Sequence, residues 1–251
     1  MNSNHRLQQV STHLLCPHQD LKDPRETKNE GLKRLKWFKI EDAQKMMTSK
    51  EWTRAVFVRE PKERILSAFL NKFVGNKGHY FHWKCCREKH MPEKIHRDEC
   101  RARQEKADFR YFLYMSRLCA DPHWYPQRNA IDPKWWPYMT FIGYLHSAGS
   151  DAKRLLESVK SSKDNLTAWE KFGSTGWGED GTASFMSSSK LSYHRTDARA
   201  KMTKYYTKCD EVFVEKYSAR DWESPFFRFD KIELYERSDN ETENLYRCGL
   251  L

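Results

Sequence analysis

The stretch AVFVREPKERILSAFLNKF, residues 55–73, decides how the chain is read. Its first four residues are apolar without alternation and bounded by charge, which fits a strand buried on both faces, as in a parallel α/β sheet. Pro61 suits the first position of a helix, where a missing N–H costs nothing. Ile65, Leu66, Phe69, Leu70 and Phe73 then fall on one face of that helix. A strand that ends in Arg59 and turns at once into a helix sets a fixed cation beside a helix N-terminus, an arrangement that attracts anions. Arg59 can hold a phosphate through two hydrogen bonds, and Ser67, one to two turns along, can add another. Each charge-assisted bond is worth about 1.5–3 kcal/mol. Arg64 either joins them or pairs with Glu60 or Glu63. The same residues also suit an ordinary charged turn, with Arg59 on the surface and Ser67 satisfied within its own helix. Sequence physics leaves both readings open.

Outward from this stretch, the chain alternates in a way that points to α/β. Residues 32–47, LKRLKWFKIEDAQKMM, carry helical periodicity. A Cys/His-rich insert spans residues 76–106, and the helix after it puts Phe109, Phe112, Leu113 and Ser116 on one face. CADPHWYPQRNAIDPKWWPY, residues 119–138, reads as a Pro- and Trp-rich loop, and MTFIGYL, residues 139–145, as a second buried strand. Asp151 is placed to cap a following helix. Residues 161–192, rich in Ser, Gly and Thr, read as a long loop, and a final helix over 197–217 has Thr196 as its N-cap. Residues 1–30 are a polar lead-in without periodicity, so the organised domain is expected over 31–251.

A chain of 251 residues is long enough for one domain with a sizeable core, and 14 Phe, 12 Tyr and 9 Trp supply the material for it. The net charge of +10 implies an anionic partner without choosing among nucleic acid, membrane surface, phosphorylated cofactor or acidic polysaccharide. A nucleic-acid binder would share this composition. However, no binding motif is present, and the basic residues are interspersed with acids instead of forming a stripe. Seven cysteines, four of them between Cys85 and Cys119, and the sequons at Asn165 and Asn240 point to a secretory compartment. Yet the first fifty residues hold no apolar signal core and no run of eighteen apolar residues. Either the chain is cytosolic or its N-terminus is missing.

The sequence FVREPKERILSAFLNKF, residues 57–73, resembles the 3′-phosphate-binding segment of Golgi carbohydrate sulfotransferases of sulfotransferase family 2, the type that includes chondroitin and dermatan 4-O-sulfotransferases. That pattern is a strand, Arg-Asp-Pro, then Arg-x-x-Ser in the helix; Glu60 stands here where Asp is usual. Further similarities follow in order. DPHWYPQ, residues 121–127, is similar to the family's His-Trp-x-Pro-Gln loop, FIGYLHSAGSDAKRLL (141–156) to its strand and Asp-Ala helix, and HRTDARAKMTKYYT (194–207) to its His-x-Thr segment. Ordered matches run from about residue 36 to 229.

The resemblance implies an α/β fold with a central parallel sheet flanked by helices, of the P-loop nucleotide-kinase-like sulfotransferase type. It also implies a carbohydrate O-sulfotransferase acting in the Golgi lumen, with 3′-phosphoadenylyl sulfate (PAPS) as donor, a glycan hydroxyl as acceptor and no metal. Arg59 and Ser67 would grip the donor's 3′-phosphate, with Thr196 as a further contact. The family's Lys-containing 5′-phosphosulfate loop has no convincing counterpart, since QQVSTHLL at residues 8–15 lacks the lysine and glycine. A truncated N-terminus would explain this gap and the missing membrane anchor together; a catalytically inactive relative would explain the gap as well.

Sulfuryl transfer needs an in-line acceptor and modest base assistance. His123, in a Pro-braced loop, is the candidate base, although related sulfotransferases place theirs near the N-terminal loop; the alternative for His123 is a loop hydrogen-bonder. Trp124, Trp135, Trp136 and Tyr138 are candidates for a sugar-stacking platform, with some of them expected in the core. The insert HYFHWKCCREKHMPEKIHRDEC (79–100) offers zinc-ligand types, but its spacing matches no known finger. Disulfides of Cys85 or Cys86 with Cys100 or Cys119 are preferred. GWGEDG, residues 176–181, fits a dinucleotide glycine pattern in form only: no strand leads into it, and Glu179 and Asp180 would repel a pyrophosphate.

Overall fold

A computed structural model describes residues 35–86, 94–158 and 196–235. The lead-in 1–30, the Gln8 to Leu15 segment, the loop 161–192 with its GWGEDG stretch and both sequons lie outside these residues. The described chain is rich in helix with a small parallel sheet, and it forms two compact units.

The first unit contains residues 35–58 and 130–158. Helix α1 (Ile40–Thr48) leads to strand β1 (Ala55–Val58), which pairs in parallel with β2 (Phe141–Tyr144), Ala55 opposite Phe141 and Val58 opposite Tyr144. Both strands stand where the sequence places them. Among the described residues the sheet has two strands, so the expected burial of β1 on both faces is not met, and only Val58 is fully buried. Gly143 faces Phe57 so closely that a Cβ there would strike the ring. Buried Arg54 organises the entry to the sheet: its guanidinium donates to the carbonyls of Tyr138 (2.5 Å), Ser49 (2.6 Å) and Met46 (3.2 Å). Two of those carbonyls lie at the C-terminal end of α1, where a cation is favoured.

Helix α6 (Ala148–Ser158) begins four residues earlier than an Asp151 cap would allow. Asp151 instead sits in the first turn and accepts from the Tyr144 N–H (2.6 Å) and the Ser147 hydroxyl (3.0 Å), tying β2 to the helix.

The second unit contains residues 59–86, 94–129 and 196–235. Helix α2 (Pro61–Ala68) starts with Pro61 at its first position and Glu60 as N-cap, the Glu60 carboxylate accepting the Glu63 N–H at 2.6 Å. It continues as a π-helical stretch, Phe69–Val74. A tight turn follows at Gly78, whose φ of 66° suits glycine and where a Cβ would strike Gln104 and the Phe73 carbonyl. Then come α3 (His79–Cys85), α4 (Lys94–Glu105) and α5 (Phe109–Leu118).

The expected apolar face of α2 is the core of this unit. Ile65, Leu66, Phe69 and Phe73 are buried against Phe81, Phe112, Leu113 and Trp124, with Phe73 and Phe81 rings 4.6 Å apart and Phe112 and Trp124 5.5 Å apart. Edge-on aromatic pairs of this kind add about 0.5–1.5 kcal/mol beyond their burial. The Cys/His-rich insert is stapled by disulfides Cys85–Cys119 and Cys86–Cys100, the pairing class preferred from the sequence, and Cys209 is disulfide-bonded as well.

The expected single helix over 197–217 is broken in two. Helix α7 (Ala198–Tyr205) ends before Thr207, which opens α8 (Lys208–Tyr217) with a capping box: Thr207 accepts the Asp210 N–H, and the Asp210 carboxylate accepts the Thr207 N–H. The cap ahead of α7 is Asp197, in left-handed conformation at φ 48°, and not Thr196. Helix α9 (Ala219–Trp222) follows.

Candidate active site

The residues around Arg59, Ser67 and His123 all lie in the second unit. Helix α2 carries Arg59 at its approach and Ser67 in its last turn, and Ser67 Oγ lies 2.9 Å from Thr196 Oγ1. With its cap role taken by Asp197, the Thr196 hydroxyl is available for this pairing across 129 positions of sequence. Lys201 Nζ donates to the Thr196 carbonyl at 2.9 Å, which brings a further cation to the same place. Sequence reasoning did not single out Lys201.

Arg59 is held by its backbone. The side-chain amide of Gln127 accepts the Arg59 N–H at 2.8 Å and donates to the Arg59 carbonyl at 2.7 Å, as a neighbouring strand would. Gln127 is fixed in turn by buried Asp221, whose carboxylate accepts the N–H groups of Gln127 and Arg128, both at 2.8 Å. Burial pushes the Asp221 pKa up against the pull of those two hydrogen bonds. The Arg59 guanidinium leans along the helix to Glu63, Nε to Oε1 3.4 Å, and not toward the hydroxyl pair. Its Nε is buried without a hydrogen bond among the described residues. A buried Nε without a hydrogen bond, at the head of a helix that also carries a hydroxyl pair, leaves Arg59 with donor capacity beyond its ion pair with Glu63.

Arg64 follows neither of its expected roles. Its guanidinium donates to the carbonyls of Tyr125 (2.6 Å) and Pro122 (2.5 Å), which flank His123 and Trp124. Burial lowers its pKa, opposed chiefly by the negative field of Asp221. The α2 helix therefore pins the 121–127 loop at two carbonyls, while that loop clamps Arg59 through Gln127.

In that loop Trp124 is fully buried, its indole N–H donating to the Cys119 carbonyl at 2.7 Å, and this removes it from the sugar-stacking candidates. Of the other three, all in the first unit, Trp136 is buried, Trp135 half-buried and Tyr138 exposed. With Trp124 anchored, His123 points outward at 42% side-chain exposure, and its Nδ1 lies 2.5 Å from Asp121 Oδ1.

Asp121 is itself buried, and it also accepts the His123 backbone N–H (2.9 Å) and the Tyr80 hydroxyl (2.7 Å). Burial alone would raise its pKa, but the hydrogen bonds from His123 and Tyr80 outweigh that and hold it below the ordinary carboxylate value. An ionised carboxylate only accepts hydrogen bonds, so the proton between the two residues sits on Nδ1. With Nδ1 carrying that proton, the tautomer that serves as a base has its lone pair on Nε2. Sequence reasoning did not single out Asp121; the Asp-Pro-His spacing could have done so, since a carboxylate two residues before a histidine can reach its ring. Among the described residues no cluster of His, Cys, Asp and Glu could hold a metal ion.

A sequence-family model described as "Sulfotransferase family" (Sulfotransfer_2) matches residues 6–217, most of the chain. The protein belongs to the sulfotransferase family. Within the sulfotransferases, it is a member of sulfotransferase family 2. No curated protein sequence and no solved structure matches the chain.

Proposed function

We propose that the protein is a carbohydrate O-sulfotransferase that transfers the sulfuryl group of 3′-phosphoadenylyl sulfate to a glycan hydroxyl. The observation that carries this reading is the contact of Ser67 with Thr196 beside Lys201, on the helix that starts at Arg59. Arg59, Ser67 and Thr196 hold the donor's 3′-phosphate, with Lys201 adding charge. When bound, the donor supplies the sulfuryl group and departs as 3′,5′-ADP. His123, oriented by Asp121, receives the acceptor hydroxyl proton at Nε2, a role worth roughly 10²–10⁴-fold in rate. Arg64 fixes the carbonyls on either side of His123, so the base and the phosphate-holding residues are set from one helix. The two disulfides support action in an oxidising, secretory compartment such as the Golgi lumen.

The test is titration of the full chain with 3′,5′-ADP, with duplex DNA as control, followed by calorimetry and thermal shift. Stabilisation by the nucleotide is expected, with Arg59→Ala and Ser67→Ala each weakening it roughly ten- to a hundredfold, the value of one charge-assisted hydrogen bond. Equal affinity in variants and wild type would remove the donor assignment. A salt-sensitive DNA complex without any nucleotide effect would favour a nucleic-acid-binding role instead. Sulfate transfer to a panel of glycans then separates the enzyme from an inactive relative.

A further inference from the structure

Of the seven cysteines, Cys85–Cys119 and Cys86–Cys100 take four, and Cys209 is disulfide-bonded to a residue outside the described ones. The two cysteines that remain, Cys16 and Cys248, both lie outside the described residues, so Cys209 joins one or the other.

Two features of the second unit choose between them. First, Cys209 is fixed in place. It is the second residue of α8, inside the turn closed by the Thr207–Asp210 capping box, and it is half-buried. Second, the last described residues run back along α8 toward that turn. Lys231 pairs with Glu215 at 3.1 Å, the Leu234 N–H donates to Glu211 at 3.1 Å, and the Tyr235 hydroxyl donates to the Tyr206 carbonyl at 2.5 Å. Their partners descend as the chain ascends, so this strap is antiparallel to α8 and ends bonded on both sides of Cys209 in sequence. Ile232 and Leu234 pack on the core as it passes.

Cys248 follows Tyr235 by 13 residues. A segment of that length spans up to about 45 Å when extended and folds back at little entropic cost. Its thiol is therefore kept near Cys209 by a tether that the fold supplies. Cys16 instead lies 19 residues before Leu35, in the first unit, and is separated from Cys209 by 193 residues, against 39 for Cys248. Loop-closure entropy favours the shorter loop by roughly tenfold.

We infer that Cys209 is bonded to Cys248, which closes the C-terminal segment covalently onto the start of α8. Forming the bond takes two protons and two electrons from the two thiols and passes them to a protein disulfide, which is reduced to a dithiol; the same exchange chemistry yields the other two bonds. The closure also bears on α2. Tyr206 donates its hydroxyl to the Lys62 carbonyl and Glu211 pairs with the Lys62 ammonium, so the strap secures the two residues that hold the first turn of that helix. The cross-link stands whether or not the chain binds a nucleotide, and it leaves Cys16 as the unpaired cysteine.

Trypsin, cutting after Arg6, Lys22, Lys208, Lys216 and Arg247, places Cys16 in residues 7–22, Cys209 in residues 209–216 and Cys248 in residues 248–251. The full chain, expressed in an oxidising compartment and purified without reductant, is blocked with N-ethylmaleimide, digested and weighed by mass spectrometry. The expected species is 209–216 joined to 248–251, separating on reduction, with 7–22 carrying the maleimide. Residues 209–216 joined to 7–22, or carrying the maleimide themselves, would overturn the inference. Thermal unfolding gives a second measurement. Cys209→Ser and Cys248→Ser should each lower Tm by roughly 5–15 °C, as loss of a bridge closing a loop of this length does, and the double variant should lose no more than either alone. Cys16→Ser should unfold at the wild-type temperature. Wild-type Tm in Cys248→Ser, with the loss appearing in Cys16→Ser instead, would likewise sink the assignment.

Discussion

Glu60 should make the protein less stable as pH rises from about 4.5 toward neutrality, and Glu60→Gln should remove that dependence. Its side chain is buried at 3% exposure, with one oxygen bonded to the Glu63 N–H and the other, Oε1, without a partner among the described residues. Burial is the largest influence on it and pushes its pKa from 4.5 up to about 7, against the pull of the Glu63 N–H and the Lys62 charge. The unfolded chain releases this proton near pH 4.5 and the folded chain near 7, so between those values the folded state binds more protons. Stability therefore falls as pH rises across that window and is level on either side of it. At about 1.4 kcal/mol per pH unit, the gap of about 2.5 units corresponds to about 3 kcal/mol. Glutamine keeps an oxygen for the Glu63 N–H and carries no charge. Its amide hydrogens meet the same lack of a partner as the protonated acid, so the two proteins should match near pH 4.5. Urea unfolding from pH 4.5 to 8 should then show the variant gaining up to about 3 kcal/mol over wild type by pH 8. Parallel curves for the two proteins across that range would refute the assignment of a neutral Glu60.

Lys62 is fully buried with its ammonium 2.5 Å from Glu211 and 3.3 Å from Glu215, so Lys62→Met should destabilise by about 3–5 kcal/mol in urea unfolding; a loss under 1 kcal/mol would mean the pair is not desolvated. Adding Glu211→Gln should recover part of this, since glutamine can still accept the Leu234 N–H that Glu211 now takes at 3.1 Å. Asp121→Asn should lower kcat roughly 10²–10⁴-fold through loss of the Nδ1–H tautomer while 3′,5′-ADP affinity stays within about twofold, and an unchanged kcat would exclude the dyad. Arg64→Lys, which replaces the planar fork that reaches the Pro122 and Tyr125 carbonyls with a single compact ammonium, should cost about 1–3 kcal/mol of stability and depress kcat more than it raises KM; a change in KM alone would separate Arg64 from the base.

The local elements were legible where composition and geometry coincide. Pro61 after Glu60 marked the start of α2, and the spacing of Ile65, Leu66, Phe69 and Phe73 marked its buried face. Ser67 and Thr196, named separately, proved to be neighbours. The helix break at Thr207 was present in the sequence as Thr-x-x-Asp, but continuous helical periodicity through Tyr205 and Tyr206 masked it. Arg54, Gln127 and Arg64 were out of reach for a different reason. Each acts on main-chain carbonyls or N–H groups distant in sequence, and no spacing rule reports which backbone groups a fold leaves in need of partners.

What these long-range bonds accomplish is mutual constraint between residues 59–67 and 121–127. Gln127 grips the Arg59 backbone, Asp221 grips the Gln127 and Arg128 backbone, and Arg64 grips the loop on both sides of His123. Each side chain here satisfies main-chain groups that would otherwise be left without partners, so the two segments cannot shift independently without exposing several at once, at about 1–3 kcal/mol each. Transfer between a donor and an acceptor depends on their relative placement to a fraction of an ångström. A loop tied only at its ends would leave His123 free to drift from the helix that carries Arg59 and Ser67. Cross-bonding through Arg64 and Gln127 makes that separation a property of the folded core, and the Cys85–Cys119 disulfide extends the same frame to helix α3.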